Sequence, residues 1–404
     1  MISESYVWLW LPGAEQPVPA GLVRQRGDRL TFHYGRRYLA RHGAISINKL
    51  ELPLTDAWIE PLNDLQAPGC LADAAPDSWG RRVIDKRLGG SEQSLLSYLT
   101  QAGSDRIGAL DFQASAERYV PRGYLPAKLE DLNEAAHRLL NGQPIPPALS
   151  AALDAGSSVG GARPKALFSD GDHALIAKFS APSDVYPMVR AELLAMRMAG
   201  RCGLDAAPVS LRRVAGRDVL LVERFDRVPG TAQRRHMLSA LTLLGLPAHA
   251  PQYASYAKLS ELMLLHFAAP ARDRNELFSR IVFNILCGNT DDHARNHAAF
   301  WDGRYLSLTP AYDICPYPRG GGEATQAMII GSSEDRFRFS QVAGAVQRAE
   351  LYGLDTATAA TIAHSQLDTI RASWTEACDE ALMTAAEREL YRRVFPSEYA
   401  LQGL

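Results

Sequence analysis

Residues 287–300, CGNTDDHARNHAAF, bring two aspartates, two histidines and two asparagines together directly after the apolar run RIVFNIL. Asp291 and Asn296 are five residues apart, and Asp313 follows in LSLTPAYDICP. An aspartate that accepts a hydroxyl proton, with an asparagine amide oxygen and a further carboxylate for a divalent cation, is the side-chain set of phosphoryl transfer. Protein kinases space the aspartate and asparagine of their catalytic loop in the same way. Asp313 comes after the strand-like YLSL, about twenty residues on, where kinases carry the metal-binding aspartate of DFG. Mg²⁺ needs only one or two carboxylates beside phosphate oxygens and water. Asn296 and Asp313 would be the protein's share.

Two upstream features bear on the same chemistry. GSSVGGARPK (156–165) joins glycines, small residues and hydroxyls. Around Ser157, Ser158, Val159, Gly160 and Gly161 such a loop can turn several backbone N–H groups toward a phosphate, because glycine permits close approach and positive φ. It matches neither G-x-x-x-x-G-K-[ST] nor G-x-G-x-x-G, so a tight hairpin is the competing reading. Lys178 interrupts the alternating run ALIAKF. Burying an ammonium in an apolar strand is costly without an anion, and a kinase strand lysine meets the α- and β-phosphates. The alternative is a lysine snorkelling from an edge strand.

The polar cluster has two other readings. Asp292, His293 and His297 could serve a metal-dependent phosphohydrolase, which would require ligands from elsewhere in the chain. The cluster could also be a polar helix terminus, with Asn289 and Asp291 as caps. The ordered set of Gly-rich loop, strand lysine, Asp-x₄-Asn and Asp favours phosphoryl transfer over both. Asp292 and His297 are then left to shape the loop.

Elements must position these groups. YVWLWL (6–11) reads as a strand, and RLTFHY (29–34), after Gly27-Asp28, reads as an arm of a hairpin. PDSWGRRVIDKR (76–87) starts a helix with Asp77 at the N-cap. Residues 1–115 are expected to form an α/β subdomain. Helical periodicity returns at 126–140, and the prolines of NGQPIPPALS (141–150) suggest a linker. A helix is expected over 183–204 and a strand at DVLLVERFD (218–226). From about 230 the spacing is almost entirely helical. The expectation is an α+β protein in three parts, 1–115, 116–226 and 227–404, with the β-rich lobe before an all-α one.

The chain has 404 residues, 47% hydrophobic and 22% charged, as expected of a soluble globular protein. A net charge of −2 gives no global surplus of positive charge for nucleic acid. Five scattered cysteines without a C-x-x-C suit a reducing compartment. MISESYVWLWLPG lacks a basic n-region, and no apolar run reaches membrane-spanning length, so a cytoplasmic protein with no membrane partner is expected.

GSSVGGARPKA, IAKF, VERFDR, GNTDDHARNHAAF and LTPAYDICP, in this order, resemble the HipA family, Ser/Thr kinase toxins of bacterial toxin–antitoxin pairs. LADAAPDSWGRRVIDKR and GALDF resemble that family's N-terminal subdomain. The resemblance implies a bilobal, protein-kinase-like fold related to lipid kinases. It implies Asp291 as catalytic base, Asn296 and Asp313 as Mg²⁺ ligands, and Lys178 on the ATP phosphates. Glu223 and Phe225 would offer backbone groups to adenine, with His293 and Tyr312 near the nucleotide. Ser158, with Ser157 adjacent, would be the autophosphorylated serine that switches the kinase off. The implied partners are a helix-turn-helix antitoxin, operator DNA through it, and a protein substrate such as an aminoacyl-tRNA synthetase. The sequence departs from the best-known branch at RRHMLSALTLLGLP (234–247) and at GGARPK, where Lys165 is expected to be an exposed loop lysine. A nucleotide-binding co-repressor acting mainly through its antitoxin is the competing role.

Overall fold

The computed structural model describes residues 3–123, 127–156, 163–319 and 322–404. The segment from Ser157 to Gly161, with the serines expected to be phosphorylated, lies outside the described residues. The chain forms two compact units. One comprises Met1–Ser183, Arg212–Leu238 and Phe300–Arg304, and the other Asp184–Leu211, Ser239–Ala299 and Tyr305–Leu404.

The first unit opens with an antiparallel sheet of β1 (Glu4–Leu9), β2 (Val18–Arg26), β3 (Arg29–Tyr34) and β4 (Leu110–Gln113), in the order β3-β2-β1-β4. Arg26 pairs with Arg29, so Gly27-Asp28 closes a two-residue hairpin, with Gly27 at the positive φ such turns require. A second sheet contains β5 (Lys165–Asp170), β6 (His173–Phe179), β7 (Val209–Val214) and β8 (Arg217–Glu223), in the order β5-β6-β8-β7. Ala166, Ala177, Phe179, Val219 and Leu221 join one core with residues of helices Leu129–Leu140 and Pro147–Gly156, and with Trp79 and Val83 of helix Ser78–Arg87. Leu129, Leu132, Ala136 and Leu139 recur at helical spacing, so the 129–140 helix buries one stripe.

The prolines of 141–150 therefore do not mark an open linker. Pro147 takes the first position of a helix, where its missing N–H costs nothing, and the two helices flanking the connection share the core just described. Asp77 occupies the N-cap of helix Ser78–Arg87, without a capping side-chain hydrogen bond.

The second unit is mainly helical, with helices Met188–Arg201, Tyr256–His266, Pro270–Cys287, Thr356–Glu380 and Ala385–Arg392. The first of these was expected from 183 but starts after Pro187, whose ring disfavours helical geometry in the residue before it. Arg190, Arg197 and Arg201 pair with Glu387, Glu380 and Glu376 on the two C-terminal helices. Residues 227–404 are not helical throughout. Three short strands, β9 (Met237–Ser239), β10 (Ala298–Trp301) and β11 (Leu306–Leu308), form a sheet of order β11-β10-β9. Runs of three or four residues are too short for period-two alternation to stand out from helical spacing. Among the described residues, no helix is long and apolar enough to cross a membrane.

Candidate active site

The polar loop follows helix Pro270–Cys287, which buries Leu277, Phe278, Ile281, Val282, Ile285 and Leu286. Gly288 ends the helix at φ 74°, and a Cβ there would stand 2.7 Å from the carbonyl oxygen of Val394, so only glycine fits. Backbone N–H groups of Gly288 and Asn289 bond the carbonyls of Ile285 and Asn284. Capping thus falls to the backbone rather than to the side chains of Asn289 and Asp291. The Asn289 amide instead donates to Asn284 Oδ1 at 2.8 Å and accepts the N–H of Asp291 at 3.3 Å.

Asp291 is exposed, whereas Asp292 beside it is 2% exposed. Partial burial raises the Asp291 carboxyl above the ordinary carboxylate range; His293 opposes this, and the negative charges of Asp313 and Asp292 add to it. A carboxyl raised in this way has the chemistry that general-base catalysis calls for. The N–H of His293 bonds the Asp291 carbonyl and that of Asn296 bonds the His293 carbonyl, both at 2.8 Å, around a short 3₁₀ turn, Ala294–Asn296. The Asn296 amide also reaches the Asp291 carbonyl at 3.4 Å. Tyr312 donates its hydroxyl to the Arg295 carbonyl at 2.6 Å, tying the Asp313 segment to the loop. Asp313 has φ 59°, a left-handed conformation that a non-glycine residue holds only when its surroundings enforce it. Asp291, Asn296, Tyr312 and Asp313 are thus brought together within one unit.

The inward side of the loop is built on Asp292. Its Oδ2 accepts from the Tyr256 hydroxyl, from Asn284 Nδ2 at 2.8 Å and from His297 Nε2 at 2.9 Å. A carboxylate only accepts, so Nε2 of His297 carries the proton. Asp292 and His297 are occupied with each other, and among the described residues no group of three or more His, Cys, Asp or Glu is placed to hold a metal. The described residues thus lack the further ligands that the phosphohydrolase reading requires. An amide oxygen from Asn296 and a carboxylate from Asp313 are hard donors that fit Mg²⁺, with most of its coordination left to phosphate and water.

The first unit holds the other expected residues. Lys178 lies on β6 between β5 and β8, so it does not snorkel from a sheet edge. It is 9% exposed, on the face opposite Ala177 and Phe179, and pairs across the sheet with Lys165 on one side and Leu220 on the other. Lys165, expected in an exposed loop, is the first residue of β5 and 5% exposed. Two lysines therefore occupy paired positions of neighbouring strands. Trp79 donates its indole N–H to the Lys165 carbonyl at 2.8 Å, anchoring the start of this strand.

Glu223 closes β8 and meets His173 at 3.3 Å, and Phe225 packs edge-on against Phe300. Between and after them, Arg224 and Asp226 are buried. Arg224 makes two bonds to Asp226, one to Asp105 and one to the Arg106 carbonyl. Arg227 also binds Asp105 and Asp226, and Asp226 accepts the N–H of Gly108 at 2.7 Å. The sequence reading missed this junction, because Asp105 lies 119 residues from Arg224 and no local pattern links them. It also passed over Glu192, a buried acid on helix Met188–Arg201 in the second unit. Its signal was an acid on the helix following the lysine strand, where kinases carry the αC glutamate.

Comparison with known proteins converges on one family. Residues 157–374 match the HipA-like C-terminal domain and residues 14–113 the HipA N-terminal domain. Y4mE of Sinorhizobium fredii, whose name marks it provisionally as a kinase, is 29% identical over 310 residues, covering 68% of this chain and 72% of its own. The serine/threonine-protein kinase toxin HipA of Shewanella oneidensis is 25% identical over 284 residues, covering 60% of this chain and 61% of its own. A chain in the solved Shewanella oneidensis MR-1 complex of HipA, HipB and operator DNA superposes with a TM-score of 0.70 at 19% identity. That match covers 97% of this chain and 95% of the other. With more than half of its length in the C-terminal domain match, the chain belongs to the HipA family and has an α+β, kinase-like fold.

Proposed function

We propose that this chain is an ATP-dependent serine/threonine protein kinase and a growth-arresting toxin. The observation that carries the reading is the loop geometry: an exposed Asp291 with a raised carboxyl, held beside Asn296 and within electrostatic reach of Asp313. Asp291 takes the proton of the attacking hydroxyl. That oxygen forms a bond to the γ-phosphorus, the bond from the γ-phosphorus to the bridging oxygen breaks, and ADP departs with the electron pair. Lys178 and the 157–161 backbone hold the phosphates, so catalysis is chiefly positioning and electrostatics. Asn296 and Asp313 would hold Mg²⁺, which would supply positive charge to offset that of the transferring phosphate. Backbone groups at Glu223 and Phe225 receive adenine, and His293 and Tyr312 lie beside the nucleotide. Autophosphorylation at Ser158, or at the adjacent Ser157, turns the kinase off.

Family membership supports a reading of the partners. One solved relative is in a complex of HipA, HipB and operator DNA, and on this reading a DNA-binding, helix-turn-helix antitoxin neutralises this chain and brings it to DNA. The substrate is a cytoplasmic translation component of the aminoacyl-tRNA synthetase class. The same complex also supports a second reading, a nucleotide-binding co-repressor acting through the antitoxin. Incubating the purified chain with a lysate and ATP-Mg²⁺, then identifying phosphorylated proteins by mass spectrometry against Asp291→Asn, separates the two. Labelled targets that disappear in the variant support the kinase. ATP binding without transfer, even after phosphatase treatment, supports the co-repressor.

A further inference from the structure

The donors on Asp292 come from three places in the second unit: Tyr256 opens helix Tyr256–His266, Asn284 lies in helix Pro270–Cys287, and His297 follows the 3₁₀ turn. All four side chains are buried. Tyr256 packs edge-on against the His297 ring at 5.5 Å, and the His297 carbonyl accepts the N–H of Ala240 at 2.8 Å. Asn284 also continues through Asn289 to the N–H of Asp291. A buried carboxylate met by three donors from separate elements is held in one position, because each donor offsets part of the cost of burying the charge.

The grip falls at two particular points. Asp292 is the residue after the candidate base, and His297 is the residue after the candidate metal ligand. Their bond joins the two ends of the Asp-x₄-Asn loop across its buried side. We propose that the Asp292–His297 bond, backed by Tyr256 and Asn284, is a clamp that fixes the separation of Asp291 and Asn296. On this account Asp292 and His297 are positioning residues for phosphoryl transfer. The inference rests on the reading of Asp291 as the base.

A clamp predicts loss of rate with binding retained. A displacement of about 1 Å in a catalytic group can lower turnover about 100-fold. Asp292→Asn should lower kcat by about that factor, with KM for ATP and the affinity for ADP within about threefold of the native chain. His297→Ala should lower kcat about tenfold, on the same principle of misplacement. His297→Gln, whose side-chain N–H stands where Nε2–H stood, should restore it. An Asp292→Asn variant that melts normally yet keeps kcat, loses ADP affinity in parallel with kcat, or a His297→Gln no better than His297→Ala, overturns the clamp. Hydrogen exchange at amides 291–297 tests it without turnover. His297→Ala should lose protection there and His297→Gln should keep it; equal protection in both overturns the proposal. If the native chain transfers no phosphate, the kinase reading fails while the exchange result still decides the clamp.

Discussion

The junction after β8 and the loop after helix Pro270–Cys287 are both buried polar networks, but they hold their backbones by different means. At the junction, Arg224 and Arg227 share Asp105 and Asp226, and Arg234 lies 3.6 Å over the Trp10 ring beside them. In the loop, one carboxylate is surrounded by a tyrosine, an asparagine and a histidine. Burial alone would raise the carboxyls of Asp105 and Asp226. The arginines outweigh it and hold both below the ordinary range, Asp105 well below it. The loop satisfies its single charge with hydrogen bonds and leaves Asp291 facing outward. The junction fixes a backbone strut through mutual charge, while the loop buries one acid and leaves its neighbour exposed.

The contrast sets an order of effects. Asp226→Ala would leave Arg224 and Arg227 with Asp105 as the one carboxylate between them, and so with an uncompensated positive charge in a buried place. It should destabilise the chain by about 3–5 kcal/mol, read as a fall in the urea midpoint at unchanged slope. His236, in the same unit, is buried and neutral. Its Nε2–H bonds the Ile47 carbonyl at 2.9 Å, and burial lowers its pKa to about 4. Because the folded value lies below the unfolded one, stability from this ring is complete above pH about 6.5 and is lost as pH falls through about 4. The loss should approach about 3 kcal/mol across that window. His236→Gln should flatten the stability profile between those pH values, and an unchanged slope would contradict the assignment. Tyr256→Phe removes one donor from Asp292 but leaves two. It should cost about 1–2 kcal/mol, well short of Asp226→Ala, by thermal or urea unfolding. Equal losses at Tyr256 and Asp226 would erase the distinction between the networks.

The two regions also differ in how far they could be read from sequence. Asp291, Asn296 and Asp313 could be named as candidates because they are close in sequence and of the types that phosphoryl transfer uses. The hairpin at Gly27-Asp28 and strand 29–34 were legible because turn chemistry and alternation are local. Tyr256 as a partner of Asp292 was not, since it lies 36 residues away and nothing local ties it to an acid. Lys165 and Lys178 could be named, but sequence could not show that they stand opposite one another, because strand register depends on the folded pairing. The prolines of 141–150 misled for a related reason: a proline suits a helix start as well as a loop, and only packing distinguishes them.

The central claim is that Asp291 is the base of a phosphoryl transfer, and one measurement addresses it most directly. Phosphate transfer from labelled ATP should be compared between the native chain and Asp291→Asn, with ADP affinity measured on the same preparations. A fall of about 10³-fold in transfer at unchanged ADP affinity is the predicted result. Transfer at the native rate by Asp291→Asn would contradict it.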